Sequence, residues 1–440
     1  MLHNKSLVCG ILDKIEAKGF EAFLVGGYVR DLIMGKPSDD IDITTSATPE
    51  DIKEIFSDYN VIETGIRHGT VTVVYENKPV EITTYRTESA YVDNRHPEEV
   101  AFCRSLTEDL KRRDFTVNAL CMDKNGNITD IFDGQGDIKK QSIKAIGDAE
   151  IRFNEDALRI LRALRFASVL GFNIEENTSN AIHKCKHLIL NIANERVSAE
   201  LRKMIIGKNI RKILLEYSDV FALIIPELAE CIGFEQHNFH HKYDVYTHIA
   251  TVVENTPAKD YLRLSALFHD CGKPDCFSVD EKGIGHFYSH ASISSAKAVK
   301  SLKRLKFDNN TISRVELFVK QHDAYIDEEE RIIKRKLNRF GEEMLRDLIS
   351  LQIADTMGLA DEFHKRITHF KKLEGLIDDV LKDNKCFALK DLDVNGNDII
   401  DLGYKGEEIG SALSYLVEAV IDEKVINEKN SLLNYLKENS

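Results

Sequence analysis

The chain has no tryptophan and only seven prolines in 440 residues. It also lacks a low-complexity linker and internal repeats, so its domains are expected to pack directly, helix against helix. No run approaches the roughly 18 consecutive apolar residues of a membrane-spanning helix. The opening "MLHNKSLVCGILDKIEAKG" lacks the apolar core of a secretory leader. Eight cysteines (Cys9, Cys103, Cys121, Cys185, Cys231, Cys271, Cys276 and Cys386) form no CxxC pair. Neither a zinc ribbon nor a thioredoxin-type site is therefore expected. Scattered free thiols fit a reducing, cytoplasmic setting. Net positive charge is missing too. The formal charge is −14, so an acidic partner would have to be met by local basic faces.

The remaining composition, 43% hydrophobic and 30% charged, is that of a globular protein. At roughly 100–200 residues per domain, the length predicts two to four domains. Residues 1–150 read as mixed α/β. "LVCGILDKIEAKG" is a helix closed by glycine. "EAFLVGG", "DDIDITTSA", "GTVTVVYENKPVEITTYR" and "FTVNALCMD" are strand-like, with "ENKP" as a turn. Beyond residue 150 the periodicity is helical, with no strand-rich block. "NEDALRILRALRFASVLG" reads as one helix with Asn154 as its cap and Gly171 as its stop. The fold class is α+β: a mixed head followed by an all-helical remainder.

"SDDIDITT" places Asp40 and Asp42 two apart, on one face of a strand. Carboxylates so placed repel, and a divalent cation relieves the repulsion. Magnesium is typically held by one or two carboxylates plus substrate phosphates. Upstream, Gly26 and Gly27 permit close backbone approach to a ligand, and Arg30 can neutralise a phosphate. Glu81 in "VEITTYR" offers a third carboxylate.

Taken together, "GGYVRD", "DDIDITT", "TGIRHGTVTV", "LKRRDFTVNAL" and "EDALRILRALRFA" resemble the class II tRNA nucleotidyltransferases. That family contains CCA-adding enzymes and bacterial poly(A) polymerases. The resemblance covers residues 24 to about 205 and implies a nucleotidyltransferase-type head. It implies that Asp40 and Asp42 hold Mg2+ and that Gly26, Gly27 and Arg30 contact a nucleoside triphosphate. Arg112, Arg113, Asp114 and Asn118 would contact its ribose and phosphates. The substrates implied are CTP and ATP, with the acceptor end of tRNA as partner.

Glu155, Asp156 and Arg159 match the family's Glu-Asp-x-x-Arg motif, which acts there as a protein template. Cytosine and adenine each present an amine donor beside a ring-nitrogen acceptor. A carboxylate and a guanidinium three residues apart on one helix face could read that edge and reject U and G. Arg162 and Arg165 pair locally in this reading and receive no base. "TESAYVDNRHPEEV" has the composition of a mobile loop. It resembles, with the acidic helical tail, the CCA-adding branch. A poly(A) polymerase or a partial CC- or A-adding enzyme is the alternative.

A second constellation lies downstream. His248, the adjacent His269 and Asp270, and Asp355 follow the order of the HD phosphohydrolase superfamily. The resemblance implies that these four hold a divalent transition metal, with His290 and His322 extending the site. Metal-activated attack on a phosphoester would follow, with 2′,3′-cyclic phosphates or phosphomonoesters at damaged tRNA ends as substrates. A phosphohydrolase whose N-terminal module only binds nucleotide or RNA is the alternative of a different class. His286 receives no role. Basic clusters containing Arg196, Arg202 and Lys203, and Lys297, Lys300 and Arg304, are candidate RNA-phosphate faces. The division expected is 1–150 catalytic head, 151–235 neck and body, 236–365 HD domain and 366–440 helical tail.

Overall fold

The computed structural model describes residues 5–88, 100–382 and 387–439. Most of the stretch read as a mobile loop lies outside the described residues. The chain forms two compact units. One comprises Met1–Ala229 with Arg304–Phe307, the other Glu230–Lys303 with Asp308–Ser440.

The first unit is built on a seven-stranded sheet. From one edge the strands are Asn60–Ile62, Thr70–Tyr75, Lys78–Thr84, Asp42–Thr45, Ala22–Val25, Leu120–Met122 and Ile128–Asp130. Thr70–Tyr75 buries every second residue, so Val71, Val73 and Tyr75 face the core. It pairs with Lys78–Thr84 through a two-residue loop, Glu76–Asn77, with φ of 47° and 62°. Those angles are the left-handed pair of a type I′ hairpin turn, whose twist matches that of the flanking strands. The turn predicted at "ENKP" is thus confined to Glu76–Asn77, and Lys78 and Pro79 already belong to the strand. Lys78–Thr84 runs parallel to Asp42–Thr45, and the register sets Glu81 beside Asp42.

Helix Leu158–Leu170 stops at Gly171, whose φ of 73° is the left-handed cap that glycine favours. The start of this segment differs from the expectation. Asn154 lies inside a separate helix, Ala149–Glu155, and bonds back to the Glu150 carbonyl. Asp156 separates the two helices in an extended conformation, and its carboxylate accepts the Leu158 N–H at 3.0 Å. Asp156, not Asn154, therefore caps the arginine-bearing helix. It does so because its short side chain can bond the backbone two residues on. Asp156 and Arg159 consequently do not share one continuous helix face.

Leu158–Leu170 packs on the neck helix Asn194–Ile205. Ser168 donates to the Met204 carbonyl at 2.8 Å, and Gly207 approaches Ser168 so closely that a Cβ there would lie 2.6 Å from its backbone carbon.

Among its described residues the second unit is helical apart from one ribbon, Phe277–Val279 with Gly285–Phe287. Its helices include Val245–Asn255, Asp260–Phe268, His290–Arg304, Asn309–Gln321, Glu330–Gly358 and Ile367–Lys382. The tail helices Gly396–Asp401, Glu407–Ile421 and Lys429–Glu438 enclose their own apolar cluster, including Ile399, Leu416, Ile421 and Leu432. Among the described residues no helix is long and apolar enough to cross a membrane.

Candidate functional site

A cleft of about 780 Å³ opens in the first unit. Gly26, Gly27, Arg30, Asp40, Asp42, Arg112, Arg113, Asp114, Asn118, Asp156 and Arg159 all line it. The motifs separated by more than 130 residues thus converge on one surface. Gly26 has φ 75°, and a Cβ there would lie 3.7 Å from Asp42 Oδ2. The strand begins at Asp42, with the exposed Asp40 just ahead of it. Burial, then the charges of Asp40 and Glu81, push the Asp42 carboxyl up to about 6, against the opposing pull of Arg113. A divalent cation at Asp40 and Asp42 would relieve the part of that shift that comes from neighbouring charge. Glu81 is exposed and in register with Asp42, but does not line the cleft.

The cationic side is held by a buried network. Asp109 is fully buried and accepts from Arg112 at 2.7 Å, Arg113 at 3.4 Å and Thr44 at 3.0 Å. Burial alone would raise its pKa, but Arg113 and Arg112 hold it below the ordinary value. Arg30 donates to Asn118 Oδ1 at 2.7 Å, and Asn118 donates to Asp114 at 3.1 Å. Asp114 takes two further bonds, from the Phe115 N–H at 2.8 Å and from Arg162 Nε at 2.7 Å. Burial opposes ionisation of Asp114, yet Arg162, Asn118 and the Phe115 N–H pull its carboxyl down to about 2.

Arg162 therefore does not pair locally. It reaches a carboxylate in the head, 48 residues upstream. Arg165 pairs with Glu200 of the neck helix at 2.9 Å. Both line the cleft, together with Phe166, His68 and Arg86, none of which the sequence reading assigned. The Phe166 ring carries Arg165, Arg162 and Arg30 at 4.2, 5.3 and 5.4 Å from its centroid. An aromatic face clusters these cations without neutralising them. The three-residue arginine spacing was the available signal. What it could not give was the distant partner.

Arg159 donates to the Arg152 carbonyl at 3.0 Å and to the Arg112 carbonyl at 3.1 Å, and pairs with Glu155 at 2.5 Å. Glu155 also pairs with Arg152 and is absent from the cleft lining, so it acts by bracing Arg159. Arg196 sits 3.4 Å from Asp156 Oδ2, and Arg196 and Lys203 line the cleft. Among the other candidate RNA contacts, Arg202 stacks on Phe307 and Lys300 is exposed. Lys297 is paired with Asp275, and Arg304 bonds the Ile224 carbonyl and Glu227. Lys297 and Arg304 are thus tied to partners within the chain.

The second unit brings the six predicted histidines and aspartates together. His248 and His269 Nε2 lie 3.2 Å apart, and His290 and His322 Nε2 also lie 3.2 Å apart. Asp355 lies 2.9 Å from His248, and Asp270 stands between the pairs, 3.3 Å from His269 and 3.4 Å from His290. Each Nδ1 faces a backbone carbonyl: Gly358 at 3.3 Å, Ala266 at 2.7 Å, Phe287 at 2.9 Å and Val319 at 2.7 Å, respectively for His248, His269, His290 and His322. A carbonyl accepts only from N–H, so all four Nε2 atoms are the ones left to meet one another. His269 is buried, which opposes charge, yet Asp270 and Asp355 raise its pKa to about 10. Asp270 and Asp355 thus favour positive charge at this buried position. Imidazole nitrogens and carboxylates of this number suit a divalent transition metal. A cleft of about 670 Å³ leads to the cluster.

Comparisons with known proteins address the family. Residues 22–144 match the poly A polymerase head domain. Residues 171–232 match the probable RNA and SrmB-binding site of polymerase A, and 277–436 match the putative tRNA nucleotidyltransferase domain 2. A CCA-adding enzyme of Ligilactobacillus salivarius is 35% identical over 439 residues, spanning 97% of this chain and 95% of that protein. The chain belongs to the CCA-adding enzyme family. A stronger local match, 52% over 223 residues, is to the CCA-adding enzyme of Lactobacillus delbrueckii subsp. bulgaricus and spans 51% of this chain and 54% of that relative. Among solved structures, the Bacillus stearothermophilus CCA-adding enzyme in complex with CTP is 29% identical, with TM-score 0.71, over 100% of this chain and 98% of that one. The Thermotoga maritima enzyme complexed with tRNA shares the fold at TM-score 0.61 and 20% identity, over 99% and 95%.

Proposed function

We propose that this chain adds CCA to the 3′ end of tRNA from CTP and ATP, without a nucleic-acid template. The observation that carries the reading is that the Asp40–Asp42 pair and the Asp156–Arg159 pair line the same cleft. A divalent ion, Mg2+ by family resemblance, held by Asp40 and Asp42 would supply positive charge to the reacting phosphate. The tRNA 3′ oxygen forms a bond to the α-phosphorus, the α–β bridging bond breaks, and pyrophosphate leaves. Glu81 adds negative charge beside Asp42 and tightens its grip on a cation. Arg30, Arg112 and Arg113 bind and orient the triphosphate, and the Asn118–Asp114–Arg162 chain fixes Arg30 in place. Asp156 accepts from the exocyclic amine of C or A, and Arg159 donates to the ring nitrogen. Gly26 and Gly27 let the ligand approach the backbone. Residues 1–150 serve as catalytic head and 151–235 as the nucleotide-selecting neck and body.

The test offers tRNA ending at its discriminator base, with each triphosphate separately and mixed. Sequenced products should end in CCA with the mixture, and Asp42→Ala should abolish them. Unchanged incorporation by Asp42→Ala would sink the reading, and a homopolymer of A would replace it with poly(A) synthesis.

The second cleft supports a separate activity in residues 236–365, with 366–440 as a helical tail. The observation favouring it is the convergence of four carbonyl-oriented imidazoles on Asp270 and Asp355. We infer a metal-dependent phosphohydrolase. Manganese-loaded protein should release phosphate from phosphomonoesters, and His269→Ala should lose both the release and the bound metal.

A further inference from the structure

The mouth of the histidine–aspartate cleft carries two tyrosines built alike. Tyr288 and Tyr325 are 72% and 73% exposed, and both line the cleft. Each lies flat on an imidazole. Tyr288 stacks on His286 at 5.5 Å with an 8° interplanar angle, and Tyr325 stacks on His369 at 5.2 Å with a 10° angle. Each imidazole is in turn held by a carboxylate: His286 by Asp280 at 3.2 Å, and His369 by Glu328 at 2.7 Å. Two acid–imidazole–phenol stacks thus present flat aromatic surface where ordinary exposed tyrosines would rotate. Lys273, buried and 2.7 Å from Asp270 Oδ2, and Arg366 add positive charge to the same cleft. Anionic attraction lies toward the histidine–aspartate end, and aromatic faces lie at the mouth.

We propose that Tyr288 and Tyr325 are base-stacking platforms, so the cleft selects phosphoesters that carry a nucleobase over aliphatic ones. Rings fixed in orientation pay little entropy on binding, and stacking tolerates any base because every base has a π face. The inference rests on the phosphohydrolase reading for its substrate, but not for the platform itself. It also gives His286 its place, as the support beneath one ring.

The test uses the full chain in two arms. In the first, the manganese-loaded protein is offered adenosine 3′-monophosphate and ribose 5-phosphate. Tyr325→Ala and Tyr288→Ala should each lower kcat/KM for the nucleotide by about tenfold, mainly through KM. Ribose 5-phosphate turnover should stay within about twofold, and Tyr325→Phe should restore the parent value. In the second arm, metal-free protein binds 2-aminopurine riboside 3′-monophosphate, whose fluorescence is quenched on stacking. The Tyr288→Ala/Tyr325→Ala chain should lose a component of the quench seen with the parent chain. Equal losses on both phosphoesters, or a quench unchanged in the double variant, would overturn the platform. If the parent hydrolyses neither compound, the phosphohydrolase reading fails and the quench alone decides the platform. A short RNA with a 3′-phosphate completes the set. A KM below that of the mononucleotide assigns the platforms to an RNA end, and a higher one assigns them to free nucleotides.

Discussion

At the scale of the residue, the first cleft is governed by side chains that hold other side chains. Asp114 is the clearest case. Its pKa of about 2 lies below the ordinary 3.8, so the ionised form stabilises the folded state. A depressed carboxyl contributes fully above its unfolded pKa and loses that contribution as pH falls toward the folded value. Asp114→Asn should therefore cost on the order of 2 kcal/mol at neutral pH. Its penalty should shrink as denaturant curves are taken from pH 5 down to pH 2. Arg162→Met removes the same ion pair and should also lower triphosphate affinity, which equilibrium binding of CTP would read. Asp156 and Arg159 make a different prediction. Asp156→Ala or Arg159→Ala should narrow the preference for CTP and ATP over UTP and GTP by about 1–3 kcal/mol per lost hydrogen-bonded pair. Single-turnover kinetics with all four triphosphates measures this, and an unaltered preference at an unaltered rate would remove the base-reading role.

At the scale of the element, close approach matters more than cap chemistry. The Gly207 contact with Ser168 joins the arginine-bearing helix to the end of the neck helix. Gly207→Ala should destabilise the fold by about 1–3 kcal/mol through overpacking. Urea denaturation followed by circular dichroism would show it. The hairpin, the Gly171 stop and the helices Val245–Asn255 and Asp260–Phe268 were all legible in the sequence, because periodicity and turn chemistry act over a few residues. The break at Asp156 was not. Nothing local distinguishes an aspartate that continues a helix from one that caps the next. The Arg162–Asp114 pair was illegible for another reason, since a three-residue arginine period reports a shared face and says nothing of what that face meets. The histidine–aspartate set could be found by residue type and order. The carbonyls that orient it could not, because backbone acceptors leave no trace in sequence.

At the scale of the whole molecule, two clefts with different lining residues occupy separate compact units of one chain. Asp42→Ala should abolish nucleotide incorporation and leave phosphate release within about twofold, while His269→Ala should do the reverse; radiolabelled incorporation and free-phosphate assays on the same preparations would show whether the losses separate. With a net charge of −14, the proposed tRNA binding would draw on local cations such as Lys203 and Arg196, which line the first cleft. The logarithm of affinity should fall linearly with the logarithm of salt, with a slope of about −0.7 to −0.9 per neutralised phosphate. Filter binding across a salt series would give the slope, and Lys203→Ala should reduce it. The Glu76–Asn77 hairpin has a wider consequence. At 35% identity to the Ligilactobacillus salivarius protein, about two positions in three have changed, so this architecture absorbs substitution readily. Length at the hairpin is another matter. One inserted residue there would slide Lys78–Thr84 by one place and turn Val80 and Ile82 out of the core. It would also carry Glu81 away from Asp42. The loop's length is thereby tied to the register it sets, and its two left-handed residues restrict its composition as well.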